Sequence, residues 1–350
     1  MGTTQKKKVL ILPGALSVGG AEKIARDIGL YADPGAFAVH YLVFGENIGA
    51  YEEILQARGC RVIHVPTPSR NYGSYVWNLF RLMEREGYHA VHAHTMFSCG
   101  WAMGAAKLAG VPVRIAHAHS SLLDGGGWMK RCYEALMRFW ILRCATILAA
   151  CAEPAGKRLF GEKVWAARGL LLPNGIDCGA FTYREEDRRA IRAQYDLEHC
   201  LVLGHAGHLT AVKNQQFLLE LLDKLLEKQK NCRLLLVGEG EDRPRLEASI
   251  RFLGLDGHVI LSGNVEDMAP FYSAMDVFCL PSLYEGMPLA LLEARANGLP
   301  CLVSDRVEAA GLSLEDRDAW IAAVCCARRG PAQPVPDIRE AMERVYTLYE

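Results

Sequence analysis

No C-x-x-C pair occurs among the twelve cysteines of this 350-residue chain. A zinc site built on such pairs has no support. The cysteines are scattered, and most sit in apolar surroundings, such as Cys279 in DVFCLP and Cys301 in LPCLVSD. That pattern excludes a small disulfide scaffold and leads us to expect reduced, buried thiols in a cytoplasmic protein. No uncharged apolar run reaches the ~18 residues that a membrane span requires. The opening MGTTQKKKVLILPG has only Val9–Leu12 as its apolar part, against the roughly seven residues or more of a secretory h-region. It reads as a first strand. An excess of one charge is also missing. Lys and Arg number 39 against 40 Asp and Glu, a formal net charge of -1, so nothing points to nucleic acid.

Two nucleotide fingerprints are missing as well. The helix after the first strand opens on Gly19-Gly20, in PGALSVGGAEKIA, not on G-x-G-x-x-G. The acid expected about 20 residues later is not there, so dinucleotide binding is poorly supported. The P-loop pattern is absent. Gly19-Gly20 is either a plain tight turn or a loop that lets a ligand come close to the backbone.

What is present is an ordinary globular balance, 51% hydrophobic and 23% charged. The length suggests about two domains. Short apolar runs alternate with helical patterns. The first series is KKVLILPG (7–14), FAVHYLVFG (37–45), RVIHVP (61–66), AVHAHT (90–95), VRIAHAHS (113–120) and ATILAAC (145–151). A second begins near residue 200 with CLVLGHAG, then CRLLLVGEG, HVILSG, DVFCLP and PCLVSD. This is the signature of parallel sheets with helices on their faces. We therefore expect an α/β protein with two Rossmann-like halves, residues 1–181 and 182–330. Residues 331–350 would be a Pro-rich connector and a terminal helix. Ligands of such sheets sit at the carboxyl ends of the strands, so a central cleft that the two halves face is the expected site.

The strand ends carry the candidate chemistry. His117 and His119 alternate on one strand, so they face the same side. Ser120-Ser121 and a glycine-rich loop follow them. His92 and His94 repeat the pattern on the preceding strand, which weakens the case for any one histidine. In GHAGHLTAVKNQQFLLELL, Lys213 precedes a helix starting near Asn214, where it suits a phosphate as a point charge. His208 would do the same if protonated. A solvated lysine at a helix start is the plain alternative.

The stretch LYEGMPLALLEARANGLP, residues 283–300, holds Glu285 and Glu293 around a helix start. Pro288 suits a first turn, and Gly298 with Pro300 ends the helix. The free amides of that turn form a natural diphosphate site. Glu293 lies five residues past Pro288, roughly 7–8 Å along the axis. A ligand with its diphosphate at the helix start thus reaches one acid with the group on either side. Carboxylates suit sugar and ribose hydroxyls and do not suit phosphates. A loop acid followed by a solvent-facing helix acid is the competing reading.

With these elements the chain resembles the retaining nucleotide-sugar glycosyltransferases of the GT-B fold, specifically glycosyltransferase family 4. The resemblance rests on GGAE, RIAHAHSS, LPNGID, VKNQQFLLE, LLLVGEGEDRPRLE, the long LSGNVEDM…LYEGMPLALLEA run and GLPCLVSD. It implies that Glu293 binds the ribose hydroxyls and that Glu285 contacts the donor sugar. The amides around Gly286, Met287 and Leu289, with Lys213, would hold the diphosphate. Gly20 would let the first loop approach the donor phosphate. His119 would stand near the reacting centre, ahead of His117. The backbone at Val265 would meet the base. The family is generally metal-independent and needs no cofactor beyond its nucleoside-diphosphate-sugar substrate. The single D-x-D, Asp316-Arg317-Asp318, looks like helix capping.

Two features depart from the family. His208 stands where an arginine is usual, which predicts weaker or pH-dependent diphosphate stabilisation. The region after Asp305 is short, with EAAGL where an acid is common. A Rossmann oxidoreductase, a nucleotide-sugar-binding protein with little activity and a sugar-nucleotide epimerase compete with the transferase reading.

The segment of residues 128–143 carries Met129, Cys132, Tyr133, Leu136, Met137, Trp140 and Ile141 on one helical face, accompanied by Lys130, Arg131, Arg138 and Arg143. It is a core helix or a membrane-surface helix. The family resemblance adds that members with such a helix often build capsule or exopolysaccharide on lipid carriers. Taken with it, the second option implies a bacterial enzyme bound to the inner face of the plasma membrane, extending a glycan or lipid-linked acceptor.

Overall fold

The computed structural model describes residues 6–17, 19–67, 72–120 and 127–350. Ser121 and residues 122–126, the loop expected beside the paired histidines, lie outside the described residues. The chain divides into two compact units, Met1–Gly175 with Ile338–Glu350, and Ile176–Asp337.

The first unit alternates strand and helix: β1 (Lys7–Gly14), α1 (Gly20–Leu30), β2 (Phe37–Phe44), α2 (Glu52–Ala57), β3 (Arg61–Val65), α3 (Tyr72–Glu86), β4 (Ala90–Ala93), α4 (Cys99–Leu108), β5 (Val113–Ala118), α5 (Trp128–Cys144), β6 (Ile147–Ala150), α6 (Glu153–Phe160), α7 (Glu162–Arg168) and β7 (Gly169–Leu171). The strands form one sheet in the order β3-β2-β1-β4-β5-β6-β7, and its pairings are parallel. The apolar runs are continuous because such a sheet is covered on both faces. In β1, Leu10 and Leu12 enter one core with Val91 and Ala116, while Val9 and Ile11 enter the other with Ile28 and Ile115. The order reverses between β1 and β4, which places the loops after those two strands beside each other.

The second unit contains α8 (Glu185–Gln194), β8 (Leu201–Ala206), α9 (Gln215–Lys228), β9 (Cys232–Val237), α10 (Arg243–Leu253), β10 (Val259–Gly263), α11 (Ala269–Ala274), β11 (Val277–Leu280), α12 (Leu289–Ala296), β12 (Cys301–Val303) and α13 (Arg317–Cys326). Its sheet runs β10-β9-β8-β11-β12 and reverses between β8 and β11. α9 forms because Phe217, Leu218, Leu221, Leu222 and Leu225 recur at helical spacing and are all buried against the sheet. α12 ends at Ala296 with Asn297 as its cap, and Gly298, which has φ 75°, turns the chain away. Glycine is needed there twice over, since a Cβ would also strike the Gly330 carbonyl.

The chain divides earlier than the sequence suggested, after Gly175 and not after residue 181. The last helix, α14 (Ile338–Thr347), is not an appendage. Its Ile338, Met342 and Val345, with Tyr349 beyond it, belong to the first unit's core. The Tyr346 hydroxyl donates to the Ile28 carbonyl at 2.9 Å, and its ring stacks on Phe37 at 5.5 Å. The apolar spacing of these four residues is what commits the segment to packing.

Candidate active site

In the second unit the switch point of the sheet assembles the acids and the lysine. The Leu283 amide donates to the Val212 carbonyl at 2.8 Å, which ties the loop after β11 to the loop after β8. The Asn214 amide group donates to the Pro281 carbonyl, at 3.2 Å. Asn214 itself has φ 55°, a left-handed bend that Asn tolerates, and it starts α9 one residue later than the sequence suggested. With both loops fixed, Lys213 Nζ lies 2.6 Å from Glu285 Oε1. The pair is largely buried, with side-chain exposures of 23% and 10%. An ammonium carries three donors, so one bond to Glu285 leaves two directions for further acceptors.

Pro288 is the cap of α12, with φ -70° and ψ 115°, and the helix begins at Leu289. The Leu291 and Leu292 amides turn back to the Pro288 carbonyl. The preceding stretch, Gly286 to Leu289, brings the positive end of the helix next to the Lys213–Glu285 pair. Glu293 is 5% exposed, so it is not a solvent-facing helix acid. Its Oε2 accepts the Tyr272 hydroxyl at 2.8 Å. Burial, followed by the Glu293 charge, pushes the Tyr272 phenol well above its usual range, so it stays a donor.

His208 is exposed on the loop after β8. Its Nδ1 lies 3.2 Å from the Glu239 carbonyl, which only accepts, so Nδ1 carries the proton. The glycines of AGHL and VGEGE let the two loops touch. A Cβ on Gly238 would collide with the Gly207 carbonyl, and one on Gly240 with the Leu209 carbonyl. Val265 follows the edge strand β10 and packs on the core beneath α12. The sequence's D-x-D is a cap: Asp316 accepts the Ala319 amide at 2.9 Å and opens α13.

In the first unit Gly20 is the first residue of α1, and a Cβ there would meet nothing within 4 Å. Internal packing therefore does not require glycine at this position. The four histidines at the ends of β4 and β5 form a stacked grid. His94 Nδ1 is 2.7 Å from His119 Nε2, and His92 Nε2 is 3.1 Å from His117 Nδ1. The His92 and His94 rings stack at 4.3 Å, and the His117 and His119 rings lie 4.2 Å apart, tilted by 31°. Tyr349 from the chain's end reaches His92 Nδ1 at 2.7 Å. Burial, then the neighbouring histidines, holds His92, His94 and His117 well below the usual imidazole range. Burial brings His119 down to about 4, although this residue keeps some surface. His117 is only 2% exposed, so of this pair His119 is the one that can meet a ligand.

His92, His94 and His117 bring one nitrogen each to within 4.8 Å of one another, close enough to raise a metal site. The arrangement does not suit one. His92 has both ring nitrogens in hydrogen bonds, Nδ1 with the Tyr349 hydroxyl and Nε2 with His117, so it would have to give one up to bind a metal. Of the six nitrogens on these three rings, four are committed to the Tyr349 and histidine hydrogen bonds.

The profile described as glycosyl transferases group 1 matches residues 200–329, and that of a glycosyl transferase 4-like domain matches residues 19–175. A Bacillus subtilis protein named as a glycosyltransferase, EpsF, is 36% identical over 328 residues, covering 91% of this chain and 84% of its own. The chain belongs to the group 1, family 4-type glycosyltransferases. An Escherichia coli relative is named UDP-Gal:alpha-D-GlcNAc-diphosphoundecaprenol alpha-1,3-galactosyltransferase. It is 29% identical over 260 residues, or 70% of this chain and 66% of that one. Among solved structures, Anabaena Alr3699/HepE with UDP and glucose has TM-score 0.80 at 18% identity, covering 97% of this chain and 98% of that one. WaaG, described as involved in lipopolysaccharide biosynthesis, has TM-score 0.69 at 18% identity over 98% of this chain and 95% of that one. These neighbours establish the GT-B fold.

For this glycosyltransferase the structure brings Lys213, Glu285 and the start of α12 together and buries Glu293 beside them on the same helix. Two residues went unassigned in the sequence. Tyr272 under Glu293 gives no local signal, being 21 residues away in an unremarkable YSAMD segment. His94 was visible as half of a repeated pattern. The α5 stripe does not hold as one face. Met137 and Ile141 are buried, but Met129, Leu136 and Trp140 are exposed at 70%, 49% and 41%. Arg138 turns inward, donating to the Leu159 and Arg158 carbonyls, so it is structural.

Proposed function

We propose that the protein is a retaining, metal-independent transferase. It moves a sugar from a nucleoside diphosphate to a hydroxyl of a glycan or lipid-linked acceptor in bacterial surface polysaccharide synthesis. The observation that carries this reading is the Lys213–Glu285 pair, 2.6 Å apart immediately before the first turn of α12. Breaking the bond between sugar C1 and the phosphate oxygen develops negative charge on the departing diphosphate. Lys213 and the amides of Gly286, Met287 and Leu289 stabilise that charge in place of a metal ion. The acceptor oxygen bonds to C1 on the face the diphosphate leaves, giving retention, and its proton goes to the leaving phosphate. Glu285 contacts the transferred sugar, Glu293 takes the ribose hydroxyls, and the backbone at Val265 takes the base. Gly20 leaves room for a ligand, and His208 takes the place of a phosphate-binding arginine. His119 acts near the reacting carbon, in positioning and electrostatics ahead of proton abstraction.

A uridine donor is the first to test, because a fold neighbour was solved with UDP-glucose. A panel of UDP-, GDP-, ADP- and dTDP-sugars should yield one donor that is hydrolysed or transferred, with chelator leaving the rate unchanged. No turnover and no nucleotide binding across the panel would sink the reading. An inverted anomer in the product would remove retention alone.

We also place the enzyme in the cytoplasm at the inner face of the membrane. No helix among the described residues is long and apolar enough to cross a bilayer. α5, however, exposes Trp128 at 74%, Met129 at 70% and Phe139 at 56%, next to Arg131 and Arg143. That is the composition of a surface-bound helix. Anionic vesicles should sediment the protein and salt should release it. Recovery that is the same with neutral and anionic vesicles, and unchanged by Arg131→Glu with Arg143→Glu, removes the membrane part only.

A further inference from the structure

The hydrogen bond between His94 and His119 fixes more than a distance. A neutral imidazole has one N–H and one bare nitrogen, so one ring must donate and the other accept. The protons are assigned here from the hydrogen-bond network. His94 is 4% exposed, and its Nε2 meets no partner among the described residues. If His119 donated through Nε2, His94 would carry its proton on that enclosed Nε2, with no acceptor. If His94 donates through Nδ1, only a lone pair is left without a partner. Orphaned buried N–H groups are the rarer of the two. The same rule applies next door, where His117 Nε2 is also enclosed and unpartnered among the described residues. His117 then donates through Nδ1 to His92, and His92 through Nδ1 to the Tyr349 oxygen.

We propose that His94 is a positioning residue of the transferase, which holds the His119 ring and fixes its proton on Nδ1. His119 therefore meets the reacting sugar as a hydrogen-bond donor and not as the base that takes the acceptor's proton. This rests on the glycosyltransferase reading and on the place of His119 near the reacting carbon. It agrees with the acceptor's proton going to the leaving phosphate.

The test pairs kinetics with imidazole nitrogen NMR. In the wild-type protein the His119 resonances, identified by their loss in His119→Ala, should show a protonated Nδ1 and a bare Nε2. His94→Ala should lower kcat by about 10- to 100-fold, the scale of a misplaced reacting group, with the donor KM within about twofold. His94→Asn places an amide where Nδ1 stands and should restore most of kcat. His94→Gln places it where Nε2 stands and should not. A wild-type proton on His119 Nε2 overturns the proposal without any variant. So does a folded His94→Ala enzyme of normal kcat, or His94→Asn no better than His94→Gln. If the wild type transfers no sugar, the function reading fails instead, and the NMR result still decides the tautomer.

Discussion

Replacing Glu293 by glutamine removes a charge and keeps the shape. The carboxylate is 5% exposed, and its Oε2 accepts the Tyr272 hydroxyl at 2.8 Å. The glutamine carbonyl can accept the same proton, so the fold should keep its stability to within about 1 kcal/mol. Ribose hydroxyls that donate to this acid lose a charged acceptor, worth about 1.5–3 kcal/mol. At about 1.4 kcal/mol per factor of ten, the Kd for the nucleoside diphosphate should rise about 10- to 150-fold. Glu293→Ala should match that loss and also strand the Tyr272 hydroxyl, lowering stability by about 1–3 kcal/mol. Tyr272→Phe separates the two effects. It leaves the carboxylate in place, so affinity should stay within about threefold while stability falls by about 0.5–1.5 kcal/mol. Calorimetric titration and urea unfolding read the two quantities. If Glu293→Gln binds the nucleotide like wild type, the acid is a structural partner of Tyr272, and the ribose role is refuted.

Glu285→Ala should reduce turnover by more than it weakens nucleotide binding, since this acid is assigned to the sugar; equal losses in both would refute that division. His208→Arg should preserve or raise kcat, since an arginine suits a phosphate at least as well, and a folded but inactive variant would show that histidine has its own task. His205 is lowered to about 4, chiefly by burial, with its bond to the Cys279 carbonyl opposing. Its stabilising effect is complete above about pH 6.5 and falls by about 3 kcal/mol as pH drops to 4. The stability of wild type should therefore drop by that much more than that of His205→Asn over this range, and parallel curves would refute it. Asp276 binds Arg188 at 2.7 Å and Arg192 at 2.6 Å, and Arg192 is buried. Asp276→Asn should cost about 3–5 kcal/mol in urea unfolding by leaving that guanidinium uncompensated, and a loss under 1 kcal/mol would refute it.

What the sequence made legible was what depends on local chemistry. The strands from β1 to β6 and from β8 to β12 follow from apolar runs bounded by Gly and Pro, because a doubly covered parallel strand must be apolar on both faces. The three-residue β7, whose residues are exposed, has no such burial and left no pattern. Lys213 and Glu285 were each readable as strand-end residues, but their salt bridge follows from β8 and β11 being neighbours, which is a property of the strand order. The same holds for the histidines. Alternation predicts that His92 and His94 share a face, and that His117 and His119 do. Only the pairing of β4 with β5, in the register Ala93 to Ala116, turns two such pairs into one grid.

Tyr349 shows where local reading stops. It bonds to His92 across 257 residues of sequence. Its apolar spacing with Ile338, Met342 and Val345 marks a packed helix but does not say onto which unit it packs. That choice is made by the surface available: the helix completes the core that lies against α1, β1 and β2, where Phe37 and Ile28 receive it. The tail thereby reaches under the strand that carries His92 and His94. The end of the chain is therefore part of the support for His119, two hydrogen-bonded imidazole pairs away from any local signal in RIAHAHSS.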